Sequence, residues 1–423
     1  MTSDTRTESR RAIEALRAGV PNQDAVWALG SSQPDLEKRF RQQLQAVKEG
    51  FSNGKQATGI LVAGDFGAGK SHLLEHFQHI ALQENFVCSK VVISKETPLY
   101  DPAKVYRSAM QEARIPQKTG HALSEVAFSL QFDSPAFADF EKWVNKPDVP
   151  LNARFAATVC VFRYGDDIEV KDRIIRFWSG DPIGVAELKT WLKGVGEAAS
   201  YKVDKISLKE LALQRYSFAP RLIVAAGYSG WVLLIDEVEL IGRYSLRQRA
   251  RSYAELTRFM GKLEGGNLPG MTCVLTISQD FESAVLEDRN DEEKILNKLR
   301  ASGSESDLLL ASQAERGMQL IRRDKLVLEK PDIDRIKQTF EKLRSTYALA
   351  YSLQPGDDQI ITDHTARMRQ HVKRWITDWD LKRFYPNYSP DIRVSEIKLD
   401  YSENPELESD TESESKNEVT RDA

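Results

Sequence analysis

The eight residues GDFGAGKS, 64–71, constrain this chain more than any other stretch. They follow the apolar run GILVA, lead into the helical pattern HLLEHFQHIALQE, and fit the spacing G-x-x-x-x-G-K-[ST]. A strand that turns through glycines into a helix N-terminus points successive backbone N–H groups at one spot, and the helix dipole reinforces that spot for anions. In this arrangement Lys70 reaches the terminal phosphates of a nucleotide and Ser71 ligates Mg²⁺. The nucleotide-contacting set is then Gly64, Asp65, Phe66, Gly67, Ala68, Gly69, Lys70, Ser71 and His72.

Such a loop belongs at the carboxyl end of a parallel strand. Four short aliphatic runs separated by helical patterns fit a parallel sheet covered on both faces: GILVAGD (59–65), CSKVVIS (88–94), WVLLIDE (231–237) and TCVLTIS (272–278). A fifth, KLVLEK (325–330), precedes Pro331. The expectation is a three-layer αβα P-loop core over 56–330, with a five-stranded parallel sheet in the order 5-1-4-3-2.

About 140 residues separate the second and third runs, far more than one βαβ step needs. SPAFADFEKWV, LNARFAATVCVF, EVKDRIIRFW and VAELKTWLKGV carry apolar residues at helical spacing, so a helical insertion is expected at about 115–215. After Pro331, Ile333, Ile336, Phe340, Leu343, Tyr347 and Ala350 make one amphipathic stripe, and Met368, Val372, Trp375 and Trp379 a second. These predict a helical lid over 331–390. Residues 1–55 read as a helical segment flanking the nucleotide site.

The run VLLIDEVE supplies what a phosphate loop lacks. A buried strand ending in two carboxylates delivers Asp236 to Mg²⁺ and leaves Glu237 to act as base toward a water attacking the γ-phosphate. The next strand ends in TISQD, where Ser278 or Gln279 faces the ligand crevice or caps a turn. His72, His76 and His79 share a helix face, but the zinc-protease spacing needs a glutamate where Leu73 stands.

Composition excludes several classes. No apolar run approaches the roughly 20 residues needed to cross a bilayer, and the polar start lacks a signal-peptide core, which points to cytoplasmic residence. Cys88, Cys160 and Cys273 have no CxxC spacing, so neither a disulfide framework nor a zinc knuckle is indicated. The net charge of −4 is uneven, because residues 401–423 hold eight acids and two bases. With so few large apolar side chains, the stretch 391–423 is expected to be a disordered acidic tail.

The order of phosphate loop, acidic strand, polar-ended strand and helical lid resembles the AAA+ ATPases of the origin-recognition and helicase-loader branch. More closely, RRAIEALRAGVPN, GDFGAGKSHLLE, SKETPLYDPAKVYR, LLIDEVELI and RMRQHVKRWITDWDL resemble the BrxD family of ATP-binding proteins in BREX bacteriophage-defence systems. The resemblance implies Mg-ATP hydrolysis, with Lys70 and Ser71 as the Walker A pair, Asp236 and Glu237 as the Walker B pair, and Ser278 or Gln279 as a sensor. It places a γ-phosphate-sensing arginine at Arg369, although the family's preceding proline is Met368 here and Arg367 is an alternative. It also implies an arginine acting across a subunit interface, for which Arg289 and Arg300 are the candidates. Its partners would be further copies of the chain or other BREX components, including a helicase. The winged-helix domain that follows the lid in origin-recognition proteins has no counterpart in this sequence.

The helix SLRQRARSYAELTRFMGKLEG carries Arg247, Arg251, Arg258 and Lys262 beside its apolar stripe. These either neutralise DNA phosphates or form ion pairs with Glu255 and its neighbours. Three functions fit the whole pattern: an ATPase working with a DNA-handling partner, a nucleotide-gated switch or scaffold of low turnover, and a small-substrate phosphoryl transferase. The intact DE pair favours the first over the second, and the insertion and lid disfavour the third.

Overall fold

The structure is a computed structural model and describes residues 3–19, 22–31, 33–356, 367–385 and 400–407. Six strands form one sheet: β1 (Ile60–Ala63), β2 (Val87–Val92), β3 (Ala113–Arg114), β4 (Trp231–Asp236), β5 (Met271–Ile277) and β6 (Lys325–Val327). Their order is β3-β2-β4-β5-β1-β6. The five parallel strands expected from the sequence keep their expected order. The correction is β3, a sixth strand that pairs antiparallel with β2 at the sheet edge, Cys88 opposite Arg114 and Ser89 opposite Ala113. Two residues are too few to show the alternation by which a strand is read from sequence.

The central strands are apolar throughout because both faces are covered. Along β4, Leu233 and Ile235 enter one core while Val232 and Leu234 enter the other, and Leu275 and Val274 divide the same way along β5. The smaller core is closed by helices Pro34–Phe51 and Lys70–Gln83, where Phe40 stacks on Phe77 with centroids 4.2 Å apart. The larger core continues from the sheet into the residues between β3 and β4. That stretch holds helices Ala122–Phe128, Pro135–Val144, Ala153–Tyr164, Ile168–Ser179, Val185–Gly194 and Leu208–Ala225. Ser134, Asn152, Asp167 and Ser207 each cap a helix start with a side-chain oxygen. Phe155, Phe162, Phe177, Trp178 and Phe218 join the same apolar cluster as the sheet, so these helices are fused to it.

A third core contains no strand residue. Ile336, Phe340, Leu343 and Tyr347 of helix Ile333–Tyr351 and Val372, Trp375 and Trp379 of helix Met368–Phe384 pack on Ala12, Ile13 and Leu16 of the first helix, Ser3–Ala18. Arg17 pairs with Asp380 at 2.7 Å across that contact, and Tyr347 donates to the same carboxylate. Residues 1–55 therefore divide: the first helix joins the lid, while Pro34–Phe51 joins the sheet.

The acidic tail differs from expectation at 400–407, which lie against the body. Tyr401 packs edge-on against Phe281, and the Glu403 carboxylate reaches Arg249 and Arg289. One aromatic anchor and one doubly paired acid supply what composition did not suggest. The remaining parts of the expected tail, 391–399 and 408–423, and lid residues 357–366 lie outside the described residues. Among the described residues no helix is long and apolar enough to cross a membrane.

Candidate nucleotide site

The carboxyl ends of β1, β4 and β5 lie side by side. Ala63 is in register with Ile277, and Ile235 with Leu275, so Gly64, Asp236 and Ser278 leave the sheet together. The Gly64 N–H donates to the Ile277 carbonyl at 3.1 Å. Leu328 packs closely on Gly64, where a Cβ would sit 2.8 Å from its Cδ1 and push that side chain aside. Gly67 and Gly69 have φ of +80° and +103°, a left-handed geometry open to glycine that curls the loop back toward the helix start. Helix Lys70–Gln83 then begins with its free N–H groups facing the hollow.

Lys70 is buried, and its ammonium donates to the Gly64 carbonyl at 2.8 Å. It also lies 3.5 Å from Glu239. Ser71 Oγ donates to Asp236 Oδ2 at 2.7 Å. The other Asp236 oxygen accepts from Thr276 Oγ1 and from the Glu237 N–H, so the carboxylate is fixed in orientation. The site thus gathers a hydroxyl and a carboxylate oxygen at its floor. Those are the hard donors Mg²⁺ takes when nucleotide phosphates supply the remaining ligands, so Ser71 and Asp236 fit that ion.

Glu237 follows with φ 60° and ψ 38°, a left-handed conformation that costs a non-glycine residue about 1–2 kcal/mol. The turn holds its side chain at the cleft wall, exposed. Partial burial, and then the neighbouring Asp236 charge, raise its carboxyl above the usual range. Glu239 is raised as well, by burial against the opposing pull of Lys70, and its second oxygen has no hydrogen-bond partner.

The cleft runs from this floor to the lid. Asp65, Phe66, Gly67, Ala68, Gly69, Lys70, Ser71 and His72 line it with Asp236, Glu237 and Glu239. His72 Nε2 donates to the Gly30 carbonyl at 2.9 Å, and burial lowers its pKa. Leu16, Leu29, Leu328, Met368 and Val372 form apolar walls, and Gln33, Arg335, Gln338, Thr339 and Lys342 add polar groups. Arg369 lies over the Phe66 ring, its guanidinium carbon 5.5 Å from the centroid, and Arg367 donates to the Phe66 carbonyl. Both arginines therefore meet the glycine-rich loop at Phe66. Arg367 also reaches Asp65, at 3.9 Å.

Other expected residues lie elsewhere. Ser278 is buried and donates to Asp280, Gln279 is exposed, and neither lines the cleft. Arg289 is held by Glu403, Asp291 and the carbonyls of Gly242 and Tyr401. Arg300 is exposed and pairs with Glu315 at 2.8 Å. In the basic helix Arg247 is paired with Asp307 and Arg258 with Glu255, as the ion-pair alternative anticipates. Arg251 and Lys262 form no ion pair among the described residues. His76 bonds Glu37 at 3.0 Å and His79 packs against Trp27, so the three histidines face different partners.

Sequence reasoning missed Glu239, Thr276 and the polar wall of the lid. Glu239 had a signal, being the third acid of IDEVE, whereas Thr276 reaches Asp236 and the lid residues reach the cleft only through tertiary packing.

Among curated proteins none matches the chain. The family of the BREX system ATP-binding protein BrxC/D matches residues 5–129 and 165–378, which include the whole cleft, and the chain belongs to that family.

Proposed function

We propose that this protein is an AAA+-type ATPase that binds and hydrolyses Mg-ATP, working with DNA-handling, helicase-like partners in BREX-type phage defence. Family membership supports ATP binding and a place in that defence. The observation that carries hydrolysis is the convergence of Ser71, Asp236 and Glu237 at one end of a cleft whose other wall bears Arg369, with Arg367 bonded to the loop beside it.

The loop N–H groups receive the phosphates, and Lys70 exchanges Glu239 for phosphate oxygen. Ser71 and Asp236 would hold Mg²⁺, which supplies positive charge against the β- and γ-phosphates. Glu237 takes a proton from the attacking water. Arg367 and Arg369 sit on the lid, so loss of the γ-phosphate changes what they bind and the lid position with it. In an oligomer, Arg300 is the more exposed of the two candidates for a neighbour's site, because Arg289 is already engaged. A contact with DNA phosphates through the basic helix would rest on Arg251 and Lys262, unless Arg247 and Arg258 leave their partners.

The alternative reading, a nucleotide-gated switch with little turnover, is favoured by one observation: Ser278 is spent on Asp280 and Gln279 stands outside the cleft. Phosphate release by the full chain, with and without DNA, separates the two readings. Hydrolysis requires that Lys70→Ala abolish turnover and that Glu237→Gln retain ATP yet slow turnover by about 10²-fold or more. Turnover unaffected by Glu237→Gln would remove that base from the mechanism. Wild type that never releases phosphate, with oligomer, DNA and partners present, selects the switch. Residues 130–164 fall outside the family match and build helices Pro135–Val144 and Ala153–Tyr164, the part of the insertion most suited to a partner particular to this protein.

A further inference from the structure

Residues 238–243, whose Glu239 lines the cleft, and residues 281–291 border a surface groove that contains two arginines. Arg249 is 2% exposed and faces the fully buried Asp291 at 2.8 Å. Arg289 lies 3.8 Å from the same acid. Two guanidinium charges against one interior carboxylate leave a positive charge unmatched, and burying it so is costly without a second anion.

Glu403 provides that anion. Its Oε1 accepts from Arg249 at 2.8 Å and from Arg289 at 2.6 Å. Two residues earlier Tyr401 is seated edge-on to Phe281, and its hydroxyl donates to Asp280 Oδ1 at 2.9 Å. Its ring closes on Gly242, where a Cβ would lie 2.8 Å from Tyr401 Cδ1. Arg289 also donates to the Tyr401 carbonyl, and the Asn404 N–H donates to the Arg243 carbonyl. The segment lies on the surface with Ser402, Glu403, Pro405 and Glu406 exposed. One aromatic anchor, one charge clamp and backbone bonds to an otherwise solvent-facing strand of chain are the contacts of a bound peptide. The segment also lies beyond the family match, which ends at 378.

We propose that this groove is a binding site for an acidic peptide carrying tyrosine two residues before glutamate, and that residues 401–407 fill it in cis. Its occupancy also holds Asp280, the acceptor of Ser278, so the tail fixes the end of β5. Binding here does not depend on hydrolysis.

The test uses the full chain carrying Tyr401→Ala and Glu403→Lys, which removes the half-buried ring and the exposed acid that fill the groove, and a labelled peptide of residues 399–408. The emptied chain should bind this peptide saturably and at least tenfold more tightly than wild type, whose own tail competes. A peptide with Glu403→Gln or Tyr401→Ala should lose tenfold or more. Adding Gly242→Ala to the emptied chain should block capture from the groove side while leaving its melting temperature near that of the emptied chain. Absence of saturable binding, or equal binding by wild type and by the altered peptides, overturns the site. Amide exchange over 278–284 should quicken in the full-chain Glu403→Gln variant, and unchanged exchange overturns the link to Ser278.

Discussion

Lys70 Nζ and Glu239 Oε1 lie 3.5 Å apart inside the cleft, so the lysine that should meet phosphate is already beside a carboxylate. Phosphate must displace that acid and also approach its negative charge. Both effects oppose binding, and a contact of this kind contributes on the order of 1 kcal/mol, about fivefold in affinity. Glu239→Gln should therefore tighten ATP about fivefold, read by titration with a fluorescent nucleotide. Unchanged or weaker affinity would mean that Glu239 does not compete for Lys70.

Glu237 offers a test of strain against function. Its left-handed backbone suits asparagine far better than glutamate. Glu237→Asn should raise the unfolding free energy by about 0.5–1 kcal/mol while removing the base and most turnover. Glu237→Gln keeps the longer side chain and should gain no stability. Calorimetry on both variants decides, and equal stabilities would show that the turn carries no strain of its own.

What could be read from the sequence was what local pattern encodes. The phosphate loop, the DE pair and the five parallel strands each occupy one short stretch in which residue types dictate conformation. Ser278 shows the boundary of that reading. The strand end was placed correctly, but the side chain turns to Asp280, which Tyr401 holds from more than a hundred residues away. The tail was read by composition, which averages over the single tyrosine and glutamate that dock it. Glu239 was visible as an acid, yet its pairing with Lys70 depends on how a strand end meets a loop from another part of the chain.

Gly317 extends this point to stability. It stands inside helix Glu305–Arg323, where glycine is disfavoured, and such a position usually marks close packing. A Cβ on Gly317 would lie 2.1 Å from the Tyr253 carbonyl oxygen on helix Leu246–Phe259. Backbone, rather than a flexible side chain, would have to move. Gly317→Ala should cost about 3 kcal/mol and lower the melting temperature by several degrees, despite alanine's better helix propensity. A stabilised variant would show that the two helices separate without penalty.

The docked tail has a pH signature with a definite sign. The hydrogen bond from Arg249, with further attraction from Arg249 and Arg289, holds the Glu403 carboxyl below its usual range. Asp291 and Asp280 are the acids that share this groove. A carboxyl depressed in the folded state contributes fully above its unfolded value, about 4.3, and loses that contribution as pH falls through the lower folded value. The tail should therefore stay docked from pH 8 to 5 and release only on stronger acidification. Anisotropy of a fluorophore placed on the tail should be flat across the upper range and fall below about pH 4. Glu403→Gln should be low and flat throughout, because the tail then brings no ionised carboxylate to the arginines. Release of the wild-type tail between pH 7 and 6 would mean that a group other than Glu403 controls docking.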